Sequence, residues 1–243
     1  MKDLNKHKKI AVLIDADNAQ YSKLKRILDE LSTHAHIVIK RAYGDWSSEY
    51  LKNWRTPLNE LGIQPVQQFA YTTGKNATDA SMIIDAMDLL YSDKFDAFAL
   101  VSSDSDFTRL AARLRESGIF VFGVGEEKTP ISFRNSCDSF ILTENLGDDP
   151  ADVVPVITHQ TSHINGKVIN LLKRGWKTHQ GEDGWANVAA VGSFVKRTKP
   201  DFDPRTYGAT KITEVISKFS NEFKLRRYKG KGGVNIVAFK PVA

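Results

Sequence analysis

Four aspartates stand out because each lies at the boundary of a predicted strand or helix. Asp15 ends the first strongly apolar run of the sequence, and Asp104 and Asp106 follow a later run at 98–101. Asp79 lies between them, in the first turns of a predicted helix. Several carboxylates in one cleft repel each other unless a cation neutralises them. All-oxygen ligation suits Mg²⁺ or Mn²⁺ better than zinc, so the pattern predicts a site for one of those two ions.

A site of this kind is suited to the hydrolysis of phosphodiester bonds. Bound Mg²⁺ lowers the pKa of water and stabilises the charge on a phosphodiester during in-line attack. Asn18 and Ser102 or Ser103 are candidates for holding the scissile phosphate or a metal-bound water. Lys75 and Arg134 are candidates for neutralising phosphates of the substrate.

Each acid taken singly also has a structural interpretation. Asp104 and Asp106 are typical helix-capping residues, and Asp79 suits the first turn of a helix because of the helix dipole. We interpret Asp17 as a cap of the first helix rather than as a ligand. Taken together the acids favour the metal site, because unpaired buried acids are costly.

The elements that position these acids alternate between strand and helix, with strands predicted at 10–14, 35–42, 64–70, 95–101, 119–124 and 140–142. This alternation predicts an α/β fold with a parallel sheet and helices on both faces. The third strand is short and half-polar, which is typical of a sheet edge. If the first and fourth strands are neighbours, Asp15 and Asp104 face one cleft where the strand order reverses. The helix predicted over 76–91 has an apolar side made of Ala80, Ile83, Ile84, Met87 and Leu90.

Composition bounds the class of protein. A chain of 243 residues forms one large domain or two modest ones. Its single cysteine, Cys137, excludes an internal disulfide and a cysteine-based zinc cluster, and we expect a cytoplasmic protein. The sequence has no apolar stretch near the roughly 20 residues that span a bilayer, and Met1–Lys9 is not followed by the apolar core of a signal peptide. We therefore expect no membrane partner.

Charge is divided unevenly along the chain. Residues 163–243 carry 16 Lys and Arg against 6 Asp and Glu, whereas residues 1–162 carry 18 against 23. This asymmetry predicts chemistry in the first part and binding of a polyanion in the second. The alternative is that the basic residues only solvate a small domain.

The basic part is predicted to be a separate small domain. Two prolines and several acids, without an amphipathic period, indicate a linker at 147–161. Three helices are predicted after it, at 163–175, 185–197 and 207–220, followed by a β-hairpin with strands at 223–227 and 234–240. Three helices followed by a hairpin form a winged helix-turn-helix. Basic residues on such a wing suit contact with phosphates, and a tyrosine among them is a candidate for stacking on a base. The candidate binding residues are Lys224, Arg226, Arg227, Tyr228, Lys229 and Lys231.

Three motifs resemble those of a known family, over about residues 8–145. They are Leu13-Ile-Asp15-Ala-Asp-Asn18, Lys75-Asn-Ala-Thr-Asp79 and Val101-Ser-Ser-Asp104-Ser-Asp106-Phe107. They resemble the motifs of NYN domains, which are PIN-like nucleases, and most closely the bacterial LabA-like branch. The resemblance implies a PIN-like α/β/α sandwich and a hydrolase that cleaves RNA with Mg²⁺ or Mn²⁺. It also implies a set of metal-binding acids with an asparagine beside them: Asp15, Asp79, Asp104, Asp106 and Asn18.

A second resemblance covers about residues 160–241. Gly184-Trp-Ala-Asn-Val, Phe202-Asp-Pro-Arg-Thr-Tyr207-Gly and the segment from Phe223 to Phe239 resemble an OST-HTH, or LOTUS, domain. This family implies a winged-helix module that binds RNA, including G-rich or structured RNA. We therefore predict an NYN domain at 1–146, a linker at 147–161 and an OST-HTH/LOTUS domain at 162–243.

The sequence therefore predicts a metal-dependent ribonuclease with an appended RNA-binding module, acting on single-stranded or structured RNA. One alternative is a non-catalytic RNA-binding regulator in which the acids only stabilise the fold. Another is a phosphatase of the haloacid dehalogenase type, because Asp15-Ala-Asp17 after a strand resembles the nucleophile motif of that family. Assembly into a homo-oligomer is left open.

Overall fold

The computed structural model describes residues 8–69, 77–147, 161–230 and 233–242. The chain forms two compact units, Met1–Leu146 and Gly147–Ala243. The predicted linker lies almost entirely outside the described residues, as do two predicted site residues, Lys75 and Lys231. Within the described ranges, no helix combines the length and the apolar character needed to cross a membrane.

The first unit is built on a parallel sheet, which has six strands in the described part of the chain. Its order is β3-β2-β1-β4-β5-β6, and every neighbouring pair is parallel. The prediction that the first and fourth strands are neighbours is therefore confirmed, and β3 lies at an edge as predicted. The strands are β1 Lys9–Asp15, β2 His36–Gly44, β3 Gln64–Gln67, β4 Ala97–Val101, β5 Phe120–Gly125 and β6 Ser139–Leu142.

Helices cover both faces of this sheet. Successive side chains of a strand point to opposite faces. In β1, Ile10, Val12 and Ile14 join one core layer, and Ala11 and Leu13 join the other. Helices α1 and α2 contribute to the first layer, and α3, α4 and α5 to the second, which makes the α/β/α sandwich that was predicted. The helices are α1 Leu24–Ser32, α2 Arg55–Glu60, α3 Ala77–Tyr91, α4 Thr108–Glu116 and α5 Ile131–Ser136.

Helix α3 is rotated relative to the apolar side expected from its sequence. Ile84 is 63% exposed, whereas Met82 and Ala86 are fully buried. The helix turns an acidic residue, Asp85, toward the sheet, where it accepts hydrogen bonds from the side chains of Arg41 and Tyr43 on β2. Ile83, Met87 and Leu90 pack against the second core layer as expected, so the inward face of α3 combines part of the predicted apolar side with Asp85.

The contact between α3 and β2 is a partly buried polar clamp, formed by Arg41, Tyr43 and Asp85. Arg41 Nη1 lies 2.5 Å from Asp85 Oδ1, and the Tyr43 hydroxyl donates to Oδ2 of the same carboxylate. Tyr43 has no exposed surface. Burial, together with the neighbouring carboxylate, raises the pKa of Tyr43, so its hydroxyl stays protonated and donates.

In its described residues, the second unit contains three helices and an antiparallel hairpin, as predicted, and one short strand that the prediction missed. Its sheet has the order β7-β9-β8. The third helix is shorter than predicted, because Gly208 takes a left-handed conformation (φ 63°) and separates it from a 3₁₀ turn at Pro204–Tyr207. The elements are α6 Thr161–His179, β7 Ala186–Asn187, α7 Val188–Thr198, α8 Ile212–Lys218, β8 Phe223–Lys229 and β9 Asn235–Pro241.

We predict that removal of the clamp carboxylate destabilises the first unit. Asp85→Ala leaves the buried Tyr43 hydroxyl without its acceptor and should lower the free energy of unfolding by about 2–3 kcal/mol. Asp88→Ala removes an exposed carboxylate from the same helix and should change it by no more than about 0.5 kcal/mol. Urea unfolding of both variants measures the difference, and equal stabilities would contradict a stabilising role for the clamp.

Candidate metal centre

The site lies at the carboxyl ends of the two central strands. Ile14 of β1 pairs with Val101 of β4, so Asp15 and the loop that carries Asp104 begin side by side. The chain leaves β1 toward β2 and leaves β4 toward β5, in opposite directions along the sheet. Ligands of open parallel sheets bind where the strand order reverses in this way.

Asp15 is fully buried and accepts hydrogen bonds on both carboxylate oxygens. Its Oδ1 accepts from the backbone N of Asp17 at 3.1 Å. Its Oδ2 accepts from Asn18 Nδ2 at 2.9 Å and from Ser102 Oγ at 2.7 Å. Burial raises the pKa of Asp15 above its usual value, and the bonds from Ser102 and Asn18 counteract only part of that effect.

Ser102 connects Asp15 to the loop after β4. Its hydroxyl, which donates to Asp15, also accepts from the backbone N of Asp104 at 3.0 Å. Asp104 in turn caps a 3₁₀ turn at Ser105–Phe107, because its Oδ1 accepts from the backbone N of Asp106 at 2.9 Å. The capping role proposed for Asp104 and its place in the acidic site therefore coexist, since a carboxylate has two oxygens.

Three carboxylates converge at this point. Oxygen atoms of Asp79, Asp104 and Asp106 all lie within 4.8 Å of one another, and we call these residues the acidic trio. Asp79 is 9% exposed. Burial raises its pKa to about 6, and the negative charges of Asp15 and the other two trio residues add to the shift.

The donor set of the trio fits a divalent cation. All three donors are carboxylate oxygens, which are the ligands that Mg²⁺ and Mn²⁺ prefer. Their mutual repulsion, which adds to the effect of burial in raising the pKa of Asp79, is what a cation would relieve. Asp15 lies outside the trio, but of all neighbouring charges it has the largest effect on the pKa of Asp79. Its role as a fourth metal ligand stays a prediction.

The remaining predicted site residues of the first unit take varied positions. Asn18 is exposed and is held by Asp15. Ser103 Oγ accepts from the backbone N of Glu126 at 3.0 Å, and so joins the ends of β4 and β5. Arg134 lies on α5, where its Nε donates to the carbonyl oxygen of Thr129 at 2.8 Å. These contacts give Ser103 and Arg134 structural roles, and their part in substrate binding stays a prediction.

The capping role assigned to Asp17 is wrong. The first helical turn after β1, at Tyr21–Lys23, has Gln20 at its N-cap and no side-chain capping bond. Asp17 lies three residues earlier and is exposed, and its backbone N donates to Asp15. The backbone after β1 therefore forms a turn that is hydrogen-bonded to the Asp15 side chain, and the helix begins only after this turn.

The predicted RNA-binding residues of the second unit do not all share one face. Lys224, Arg226 and Tyr228 alternate with the inward-facing residues Phe223 and Leu225 along β8, so they lie on the outer face of the sheet. The other described members, Arg227 and Lys229, occupy positions of the opposite parity and are exposed near the hairpin tip. Lys240 and Trp185 are not among the predicted binding residues. Both lie on the outer face, and only the pairing of strands distant in the sequence brings them there.

Comparison with known families agrees with this geometry. A family model described as NYN domain matches residues 9–144, which is more than half of the chain. The chain belongs to the NYN domain family. A second family model, described as OST-HTH/LOTUS domain, matches residues 160–235, so the predicted order of the two domains is confirmed. Assignment to the LabA-like branch stays a prediction.

Solved structures show weaker similarity to the NYN protein. A protein of unknown function from Vibrio parahaemolyticus matches with a TM-score of 0.48 and 19% identity, over 58% of this chain and 96% of that one. A UDP-N-acetylglucosamine 2-epimerase matches with a TM-score of 0.41 and 10% identity, over 84% of this chain and 71% of that one. Similarity at this level carries no argument about activity. Among curated proteins, none matches the chain.

The raised pKa of Asp79 predicts a pH-dependent stability of the metal-free protein. The folded state holds the proton of Asp79 up to about pH 6, whereas the ordinary value is 3.8. The free energy of unfolding should therefore fall as the pH rises from about 4 to about 6, and Asp79→Asn should remove that part of the fall. Urea unfolding in EDTA over this range compares the two slopes. An unchanged slope in the variant would contradict the raised pKa.

We also predict that Mn²⁺ stabilises the folded protein through the acidic trio. The rise in Tm should be larger at neutral pH than at about pH 5, where Asp79 is protonated. Asp79→Asn and Asp104→Asn should lose most of the rise, whereas Asp17→Asn, which removes an exposed neighbouring carboxylate, should keep it. Thermal unfolding with and without Mn²⁺ tests this. An equal rise in every variant would mean that the ion binds elsewhere.

Proposed function

We propose that this NYN protein is a divalent-metal-dependent ribonuclease whose second domain binds RNA. The observation that carries the proposal is the convergence of the acidic trio at the point where the strand order reverses. The domain order, with an NYN domain followed by an OST-HTH/LOTUS domain, supports RNA as the substrate.

The trio residues would hold one Mg²⁺ or Mn²⁺ ion. Such an ion supplies positive charge against the scissile phosphate and acidifies a water for attack. The protein's own part is to hold the three carboxylates together: Ser102 fixes the start of the Asp104 loop, and α3 carries Asp79. Asn18 is exposed beside the site, and it donates to Asp15 through its amide nitrogen. Its amide oxygen, which this bond does not use, could accept a hydrogen bond from water or substrate.

The geometry disfavours the phosphatase alternative. A nucleophilic carboxylate needs an oxygen that the substrate can reach. Asp15 has no exposed surface, and both of its oxygens accept hydrogen bonds. The regulator alternative differs from the ribonuclease only in whether RNA is cut, so the same experiment tests both.

The proposal predicts metal-dependent cleavage that depends on Asp104. Labelled single-stranded and structured RNAs are incubated with the wild type in Mn²⁺, Mg²⁺ or EDTA. Cleavage is expected with either metal and not in EDTA, and Asp104→Asn should reduce its rate by about 100-fold or more. Asparagine is as good a helix cap as aspartate, so this variant removes the charge while keeping the 3₁₀ turn.

A matched control variant and the possible outcomes make the result decisive. Asp88→Asn neutralises an exposed carboxylate on α3 and should cleave at the wild-type rate. Normal cleavage by Asp104→Asn, or cleavage that persists in EDTA, would overturn the proposed site. RNA binding without cleavage under any condition would favour the non-catalytic regulator. The cytoplasmic location and the possibility of a homo-oligomer stay predictions.

A further inference from the structure

The outer face of the three-stranded sheet in the second unit carries a cluster of aromatic and basic side chains. The Arg226 guanidinium lies 4.5 Å from the centre of the Trp185 ring and 5.0 Å from that of Tyr228. The ammonium of Lys240 lies 5.0 Å from the Trp185 ring. We call Trp185, Arg226, Tyr228 and Lys240 the wing platform.

The hairpin register explains why these residues meet. Arg226 pairs with Ala238, so the small side chain opposite it leaves the guanidinium free to lie against a ring. Trp185 immediately precedes Ala186, which pairs with Phe239 next to Lys240. Side chains on the other face of the sheet, such as those of Phe223 and Phe239, form the core of the unit.

Arg226 is held in place before any ligand arrives. It contacts the rings of Trp185 and Tyr228, and it also forms an ion pair with Asp183. The hydrogen bond from Arg226 is the main reason that the pKa of Asp183 is lowered. A side chain that its neighbours already hold in place loses little conformational entropy when a ligand binds beside it. Tyr228 is 43% exposed, so the cluster remains open to solvent on one side.

The third helix of the unit, by contrast, is poorly suited to contact RNA. Helix α8 has seven residues, and its lysine, Lys218, donates to the carbonyl oxygens of Tyr207 and Gly208 at 2.9 and 2.6 Å. Glu214 on the same helix is negatively charged and bonds to Thr210. The major groove of A-form RNA is too narrow for a helix in any case.

We propose that the wing platform binds unpaired RNA bases by stacking, while the neighbouring lysines contact the phosphates. The inference rests on the proposed RNA-binding function and specifies its ligand. Base faces are available in single strands, loops and bulges and are hidden inside a duplex. Every base has a π-face, so stacking on aromatic and guanidinium planes tolerates any sequence. Lys224, which pairs with Lys240 across the hairpin, adds positive charge beside the platform.

The test is binding of the full-length chain to two fluorescent RNAs in EDTA, a single-stranded oligoadenylate and a blunt duplex. The wild type should bind the single strand at least about tenfold more tightly. Tyr228→Ala and Trp185→Leu should each weaken that binding by about 5- to 50-fold. Trp185→Phe keeps an aromatic ring and should bind nearly as the wild type does. Lys211→Ala, on the N-terminal side of α8, should have little effect.

Salt dependence separates stacking from charge. Lys224→Ala should reduce the slope of log K against log salt concentration by about one, because one phosphate contact is lost. Tyr228→Ala should lower the affinity and leave that slope unchanged. A variant that was merely misfolded would change both, so this pair of measurements isolates the stacking contribution.

The outcomes distinguish this inference from the proposal on which it rests. A wild type that binds neither RNA overturns the RNA-binding function itself. A wild type that binds RNA, with platform variants of normal affinity, overturns the platform and leaves RNA binding intact. Duplex bound as tightly as single strand overturns recognition of unpaired bases. Loss of affinity in Tyr228→Ala and Trp185→Leu, with Trp185→Phe and Lys211→Ala unaffected, supports it.

Discussion

The hydrogen bond from Ser102 to Asp15 joins the ends of the two central strands, and the acidic site depends on its direction. A hydroxyl has one proton. Because an ionised carboxylate can only accept, Ser102 donates this proton to Asp15 and accepts from the backbone N of Asp104 through a lone pair. The Asp15 carboxylate also accepts hydrogen bonds from the Asn18 side chain and from the backbone N of Asp17. Three donors therefore favour the charged form of Asp15 against the effect of burial, and that charge is felt by Asp79.

The site is thus assembled at some cost to the stability of the fold. Carboxylates repel each other across the cleft, and the repulsion acts on the first turn of α3. Two features oppose it in the structure. The positive end of the helix dipole favours acids at the start of α3, and the clamp of Arg41, Tyr43 and Asp85 attaches the same helix to β2 further along. The clamp therefore helps to keep the first turn of α3, which carries Asp79, in position against the repulsion.

Much of the first unit could be predicted because its central strands are buried on both faces. Such strands are continuous apolar runs, and the acids directly after them mark the strand ends. The orientation of α3 could not be predicted in this way, since periodicity cannot show that Asp85 turns inward to a partner on β2 while Ile84 turns outward. The prediction that Asp17 caps a helix was wrong for a similar reason. Asp17 contributes to the turn after β1 through its backbone N, which donates to Asp15, and not through its side chain. In the second unit, Trp185 and Lys240 are far apart in sequence, and only the register of β7 with β9 brings them together.

The position of β1 in the sheet has a consequence for synthesis of the chain. β1 pairs with β2 on one side and with β4 on the other, and β4 is made long after both of the others. A nascent chain that ends before β4 can cover only one edge of its most apolar strand. Exposed edges of this kind pair readily with other chains, and contacts between distant segments form slowly. The first unit therefore gains its central pairing only after residues 97–101 have been synthesised, and until then β1 presents an edge that is open to aggregation.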